Sequence, residues 1–123
     1  MILSKEAHDM RYALLIHEDP GSYDGLGDDE LRALTGEYLA LRDDPRIVDG
    51  GRLKPIETTT TVRVQNGETL VADGPFADTK EVFGGYFLMD AQDLDGAIEI
   101  AARIPAARMG GVVEIRPLVE YPR

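Results

Sequence analysis

The chain has no cysteine, which excludes disulfides, thiolate zinc sites and a cysteine nucleophile, and fits without proving a reducing compartment. It has no apolar run near the ~20 residues that a membrane span needs. Met1-Ile2-Leu3-Ser4-Lys5-Glu6 lacks the charge order and apolar centre of a signal peptide. The expectation is a cytoplasmic protein with no membrane contact. Positive charge is scarce as well: 13 basic residues stand against 23 acidic ones, for a formal net charge of −10. A field of that sign repels phosphate backbones and anionic lipid, so nucleic acid is not an expected partner. The acidity serves either solubility or the attraction of a cationic ligand.

Familiar site motifs are missing too. Gly21, Gly25 and Gly27 crowd together, but no Lys-Ser/Thr follows and the dinucleotide-turn spacing is absent. Ser4 and Ser22 have no Gly-x-Ser-x-Gly context. Glu18-Asp19 and Asp28-Asp29-Glu30 lack the alternation of a calcium loop, and two distant histidines make no zinc motif. Neither a cofactor nor a metal is expected.

What is present is enough for one domain of 123 residues. Residues 1–9 are polar without a useful period and read as an extension, with His8 in it, leaving 10–123 as the domain. Arg11 to His17 reads as a buried strand, with Tyr12, Leu14 and Ile16 on one face and Ala13, Leu15 and His17 on the other. Glu18 to Gly27 is a loop and a candidate cleft lip. A helix over Asp29 to Arg42 follows, with Asp28 as N-cap and Leu31, Leu34, Tyr38 and Leu41 as its apolar stripe. Gly36 in that helix implies close packing or a weak point.

Ile47 to Leu53 is a short strand interrupted at Gly50-Gly51. Asn66-Gly67 between Thr58 to Val64 and Glu68 to Asp73 signals a two-residue hairpin, whose register pairs Val62 with Val71 and Thr60 with Asp73. Asp73 thereby falls on the more apolar side of the ribbon. It needs a partner there, either the Thr60 hydroxyl or the N–H groups of the following turn. Gly74-Pro75 bends that turn, and Phe76 is apolar enough to pin it on a core. Tyr86 to Met89 is again apolar on both faces, Asp93 caps a helix with Leu94, Ala97, Ile98, Ala101 and Ile104 on one stripe, and Gly111 to Val119 supplies the last strand.

This order predicts an α+β, ferredoxin-like split βαβ layout with an extra hairpin. Two helices cover one side of its sheet, so the two-sided strands call for a second apolar layer, most economically another copy of the chain.

The run Asp73-Gly74-Pro75-Phe76-Ala77-Asp78-Thr79-Lys80-Glu81, then Gly84-Gly85-Tyr86-Phe87-Leu88, resembles the signature of DGPF-domain proteins in the YCII-related family. Arg11 to Ile16 is similar to the family's first strand, and Arg103 to Arg108 to its closing helix end. The resemblance spans about Met10 to Val119. It implies a ferredoxin-like protein that pairs into a dimeric α/β barrel, and it implies little about chemistry, since most relatives have no assigned activity.

The candidate catalytic residues are Asp73, as general base, raised-pKa acid or ligand anchor, and His17, of the side-chain type that exchanges protons near neutral pH. The competing readings are a turn aspartate and a strand-end histidine without duty. In the wider family a histidine and aspartate pair has been suggested as an acid/base unit, but the helix Asp29 to Arg42 has no histidine to match it. Thr60, Phe76, Lys80 and Tyr86 are candidate ligand contacts, against surface solvation for Lys80 and core packing for the aromatics. Two functions stand open. One is a protein binding a small organic molecule near Asp73, with acid/base turnover of the lyase type implied by a family relative that removes chloride from a chlorinated hydroxyquinol. The other is a noncatalytic binding or regulatory module, implied by similar proteins encoded beside extracytoplasmic-function sigma factors.

Overall fold

A computed structural model describes residues 9–120; the expected extension, with His8, lies almost wholly outside them. Strands β1 (Met10–Glu18), β2 (Ile47–Arg52), β5 (Val82–Ala91) and β6 (Val112–Pro117) form an antiparallel sheet in the order β2-β5-β1-β6. Helices α1 (Asp28–Arg42) and α2 (Leu94–Ala102) are its crossovers. Strands β3 (Thr60–Gln65) and β4 (Glu68–Asp73) pair only with each other as a separate ribbon. The fold is the expected ferredoxin-like α+β arrangement with an inserted hairpin.

The alternation in β1 and β5 decides where the core lies. Tyr12, Leu14 and Ile16, with Phe87, Met89 and Ala91, are buried against Leu41 of α1 and Ala97, Ile100 and Ile104 at α2. The opposite face holds Ala13, Leu15 and His17 beside Tyr86 and Leu88, all only half-buried because no helix covers them. A bulge separates Ile16 from His17, pairing Ile16 with Gly85 and His17 with Phe83.

Several local expectations are corrected. The N-cap of α1 is Gly27, not Asp28, because the Glu30 carboxylate reaches back to accept from the Gly27 N–H at 3.0 Å. The irregularity in β2 lies between Ile47 and Asp49, while Gly50 and Gly51 stay in register. On α2 the buried stripe is Ala97, Ile100, Ala101 and, just past the helix end, Ile104; Leu94 and Ile98 are exposed. Asp93 does cap α2, accepting from the Gly96 N–H at 3.1 Å.

The hairpin has the register expected, from Gln65 opposite Glu68 to Thr60 opposite Asp73. Asn66 and Gly67 both take positive φ, 52° and 79°, as a type I′ turn requires. Its apolar side, however, faces solvent: Val62, Val64 and Val71 are 58%, 68% and 65% exposed. Two strands alone give those valines nothing to pack on.

Candidate functional site

Three depressions run in series around the end of the sheet where β1 stops and β5 begins. The first lies beneath α1 and is walled by Ile16, Leu39 and Phe87, with Glu18, Arg52 and Gly84 on its rim. Those three rim residues also line the second depression, which shares Leu53, Ile56, Val82 and Phe83 with the third. The third is an open cleft of about 600 Å³ on the uncovered face, with His17 and Glu114 on one wall and Pro75 and Phe76 on the other.

The chain reaches this arrangement by simple steps. The bulge after Ile16 turns His17 toward Phe83, whose ring lies 5.5 Å from the imidazole at a tilt of 48°. Antiparallel pairing of β1 with β6 sets Leu15 opposite Glu114, so Glu114 shares the uncovered face with His17. His17 Nε2 donates to Glu114 Oε1 at 2.7 Å. A carboxylate can only accept, so the proton sits on Nε2 and Nδ1 is the basic nitrogen of the neutral ring. Such a pair fixes one tautomer and one ring orientation, as a general base requires.

The predicted site residues are only partly brought together. His17 and Phe76 line the same cleft, although Phe76 is 81% exposed and does not pin its turn on a core, a correction that follows from the hairpin standing away from the sheet. Asp73 and Thr60 sit opposite each other on the solvent side of the ribbon, and both are exposed. The expected partner for Asp73 is absent. Its carboxylate accepts no hydrogen bond among the described residues; the turn is closed instead by one backbone bond, from the Gly74 N–H to Thr59 O at 2.8 Å, and one side-chain bond, from Thr61 Oγ1 to Gly74 O at 2.6 Å. Gly74 takes φ of 95°, which only glycine adopts freely. Lys80 is exposed on the following loop. Tyr86 lies with its ring over Gly51, where an added Cβ would come within 3.2 Å of it, and borders the first depression rather than the His17 cleft.

Sequence reasoning missed Glu114, and the signal for it was available. In a split βαβ layout β6 runs antiparallel beside β1, so a charge near the start of β6 falls beside the end of β1. It also missed a phenol cluster. Tyr23 Oη donates to Glu18 Oε1 at 2.8 Å, and burial followed by that bond pushes the Tyr23 hydroxyl well above its ordinary pKa. The Tyr38 hydroxyl is shielded from solvent without a partner in hydrogen-bonding geometry, and Tyr23 and the Ala106 backbone are among its polar neighbours. Burial, and then the Glu18 charge, raises its pKa too.

These features define the class, a ferredoxin-like α+β domain with an added hairpin and a polar pair at the rim of its uncovered face. The chain matches the YCII-related domain over residues 10–122 and belongs to that family. It is 33% identical over 119 residues to an uncharacterized protein of Rhizobium meliloti (strain 1021), an alignment covering 91% of this chain and 94% of that one. Among the described residues no helix is long and apolar enough to cross a membrane.

Proposed function

We propose that the protein binds a small organic molecule in the cleft between His17 and the Pro75-Phe76 turn, and that His17 exchanges a proton with it. The observation that carries this reading is the 2.7 Å bond from His17 Nε2 to Glu114 Oε1, which leaves a basic nitrogen on a residue lining the cleft. Phe76 and Phe83 offer apolar surface for the body of a ligand. Abstraction of a proton from the carbon next to a carbonyl, or of a phenol's own hydroxyl proton, is the reaction class such a base serves. In the lyase manner the freed electron pair forms the new double bond as the leaving group departs with its own pair. Asp73, just ahead of that turn, contacts ligand only at the mouth.

A homodimer belongs to the same proposal. The uncovered face, together with exposed Val48, Phe83 and Val112, is apolar enough to take the equivalent face of a second copy, which would narrow the cleft. The alternative is a noncatalytic binding or regulatory module, and one observation favours it: Asp73 is exposed, not desolvated as a catalytic carboxylate would be.

A panel of phenols and carbonyl compounds, screened by thermal shift, should yield a ligand whose carbon-bound hydrogen exchanges in D2O when the protein is added. His17→Asn should slow that exchange by about 10²–10⁴-fold, while Asp73→Asn should change it little. Exchange that survives His17→Asn would end the catalytic reading, and binding without any exchange would leave the module.

A further inference from the structure

We infer that the depression beneath α1 is a second ligand site, separate from the His17 cleft, and that it takes a small monocarboxylate with an apolar body of about one ring. Size sets the body. The cavity is about 150 Å³, and an apolar cavity of that volume accommodates a benzene ring. Ile16, Leu39, Phe87 and Tyr38 line it, and the absence of side chains at Gly84 and Gly85 opens its floor. A Cβ at residue 85 would come within 2.7 Å of the backbone Gly51 O, so that position has no room for a larger residue, and one at residue 84 would push the Glu18 side chain aside.

Charge sets the head group. Among the described residues Arg11, Arg32, Arg46, Arg103 and Arg108 are ion-paired, whereas Arg42, Arg52, Arg63 and Arg116 are not. Of these four only Arg42 and Arg52, both exposed, lie at this depression. Against these two cations the lining offers one acid, Glu18, whose Oε1 already accepts from Tyr23. A local excess of positive charge at an apolar pocket, on a molecule of net charge −10, suits a carboxylate held by guanidinium groups. The rim at Glu18, Arg52 and Gly84 opens onto the neighbouring depression, which provides the way in.

The test uses the full chain, 15N-labelled, titrated with phenylacetate, phenethyl alcohol and phenethylamine, so that one ring carries an anionic, a neutral or a cationic head. Phenylacetate should move the amides of Ile16, Leu39 and Gly84 to Phe87, and bind about tenfold or more tightly than the alcohol; the amine should bind weakest. Arg52→Glu, at an exposed position, should keep a dispersed spectrum and weaken phenylacetate by at least about tenfold. Leu39→Trp, which fills the depression from the helix side, should abolish the response. The inference is overturned if the amine binds as well as phenylacetate, if Arg52→Glu leaves its affinity unchanged, if the moved amides are those around His17, or if nothing moves at about 10 mM.

Discussion

At the scale of single residues, side chains here are governed by which neighbours a turn or a strand register brings within reach. Asp44 shows the full case. Its carboxylate accepts from the Arg46 side chain at 3.0 Å through both oxygens and from the Arg46 N–H at 2.9 Å, and Arg103 approaches to 3.8 Å. The Arg46 side-chain bonds, then the backbone bond, hold its pKa down at about 2, below the ordinary 3.8. A depressed carboxylate adds stability that is fully present above its unfolded pKa, near 4, and is lost as pH falls through about 2. Asp44→Asn should therefore cost roughly 1–2 kcal/mol at pH 7 and much less at pH 2. Urea denaturation at both pH values measures it, and equal losses at the two would contradict the charge argument. Asp73 is the opposite case: its place opposite Thr60 followed from the Asn-Gly corner, but whether a ribbon face is buried depends on what lies above it, which no local pattern encodes.

At the scale of elements, legibility tracks how local the determining interaction is. The hairpin register was readable because two residues, Asn66 and Gly67, impose it. The cap at Asp93 was readable because a side chain bonds three residues ahead in its own chain. The buried stripe of α2 was read partly wrong because Ile98 and Ile100 are equally apolar, and only the position of the sheet selects Ile100. The His17 and Glu114 pairing needed strand neighbourhood as well as sequence. Gly36 had two readings, close packing or weakness, and the structure decides: a Cβ there meets nothing within 4 Å. The glycine thus brings only its conformational entropy to α1. Gly36→Ala should stabilise the domain by about 0.5–1 kcal/mol, seen as a higher urea midpoint with an unchanged slope. A lower midpoint would mean that α1 packs there against something other than its own subunit.

At the scale of the whole molecule the unanswered physical demand is the uncovered sheet face. Leu15, Tyr86 and Leu88 stand half-buried at its centre, and Phe83 and Val112 lie exposed at its rim. Arg11 and Asp90 bond each other on that face at 2.8 Å and 3.0 Å, and His17 bonds Glu114, so these four groups are paired within one chain and cost little to bring against another. Arg116, opposite Ala13, has no ion pair among the described residues. Apolar burial favours association, while a net charge of −10 on each copy opposes it. Two opposing terms of different range make a sharp prediction, because salt screens the second and leaves the first. The protein should sediment as a dimer of 13.5 kDa chains and associate more tightly as ionic strength rises. Leu88→Lys, at the centre of the face, should weaken the dimer by about 30-fold or more without unfolding the monomer, since Leu88 makes no part of the core beneath the helices. Sedimentation equilibrium across a salt series measures both effects. A chain that stays monomeric at high concentration and high salt would leave those leucines without a partner of their own kind, and the face would then belong to a different protein.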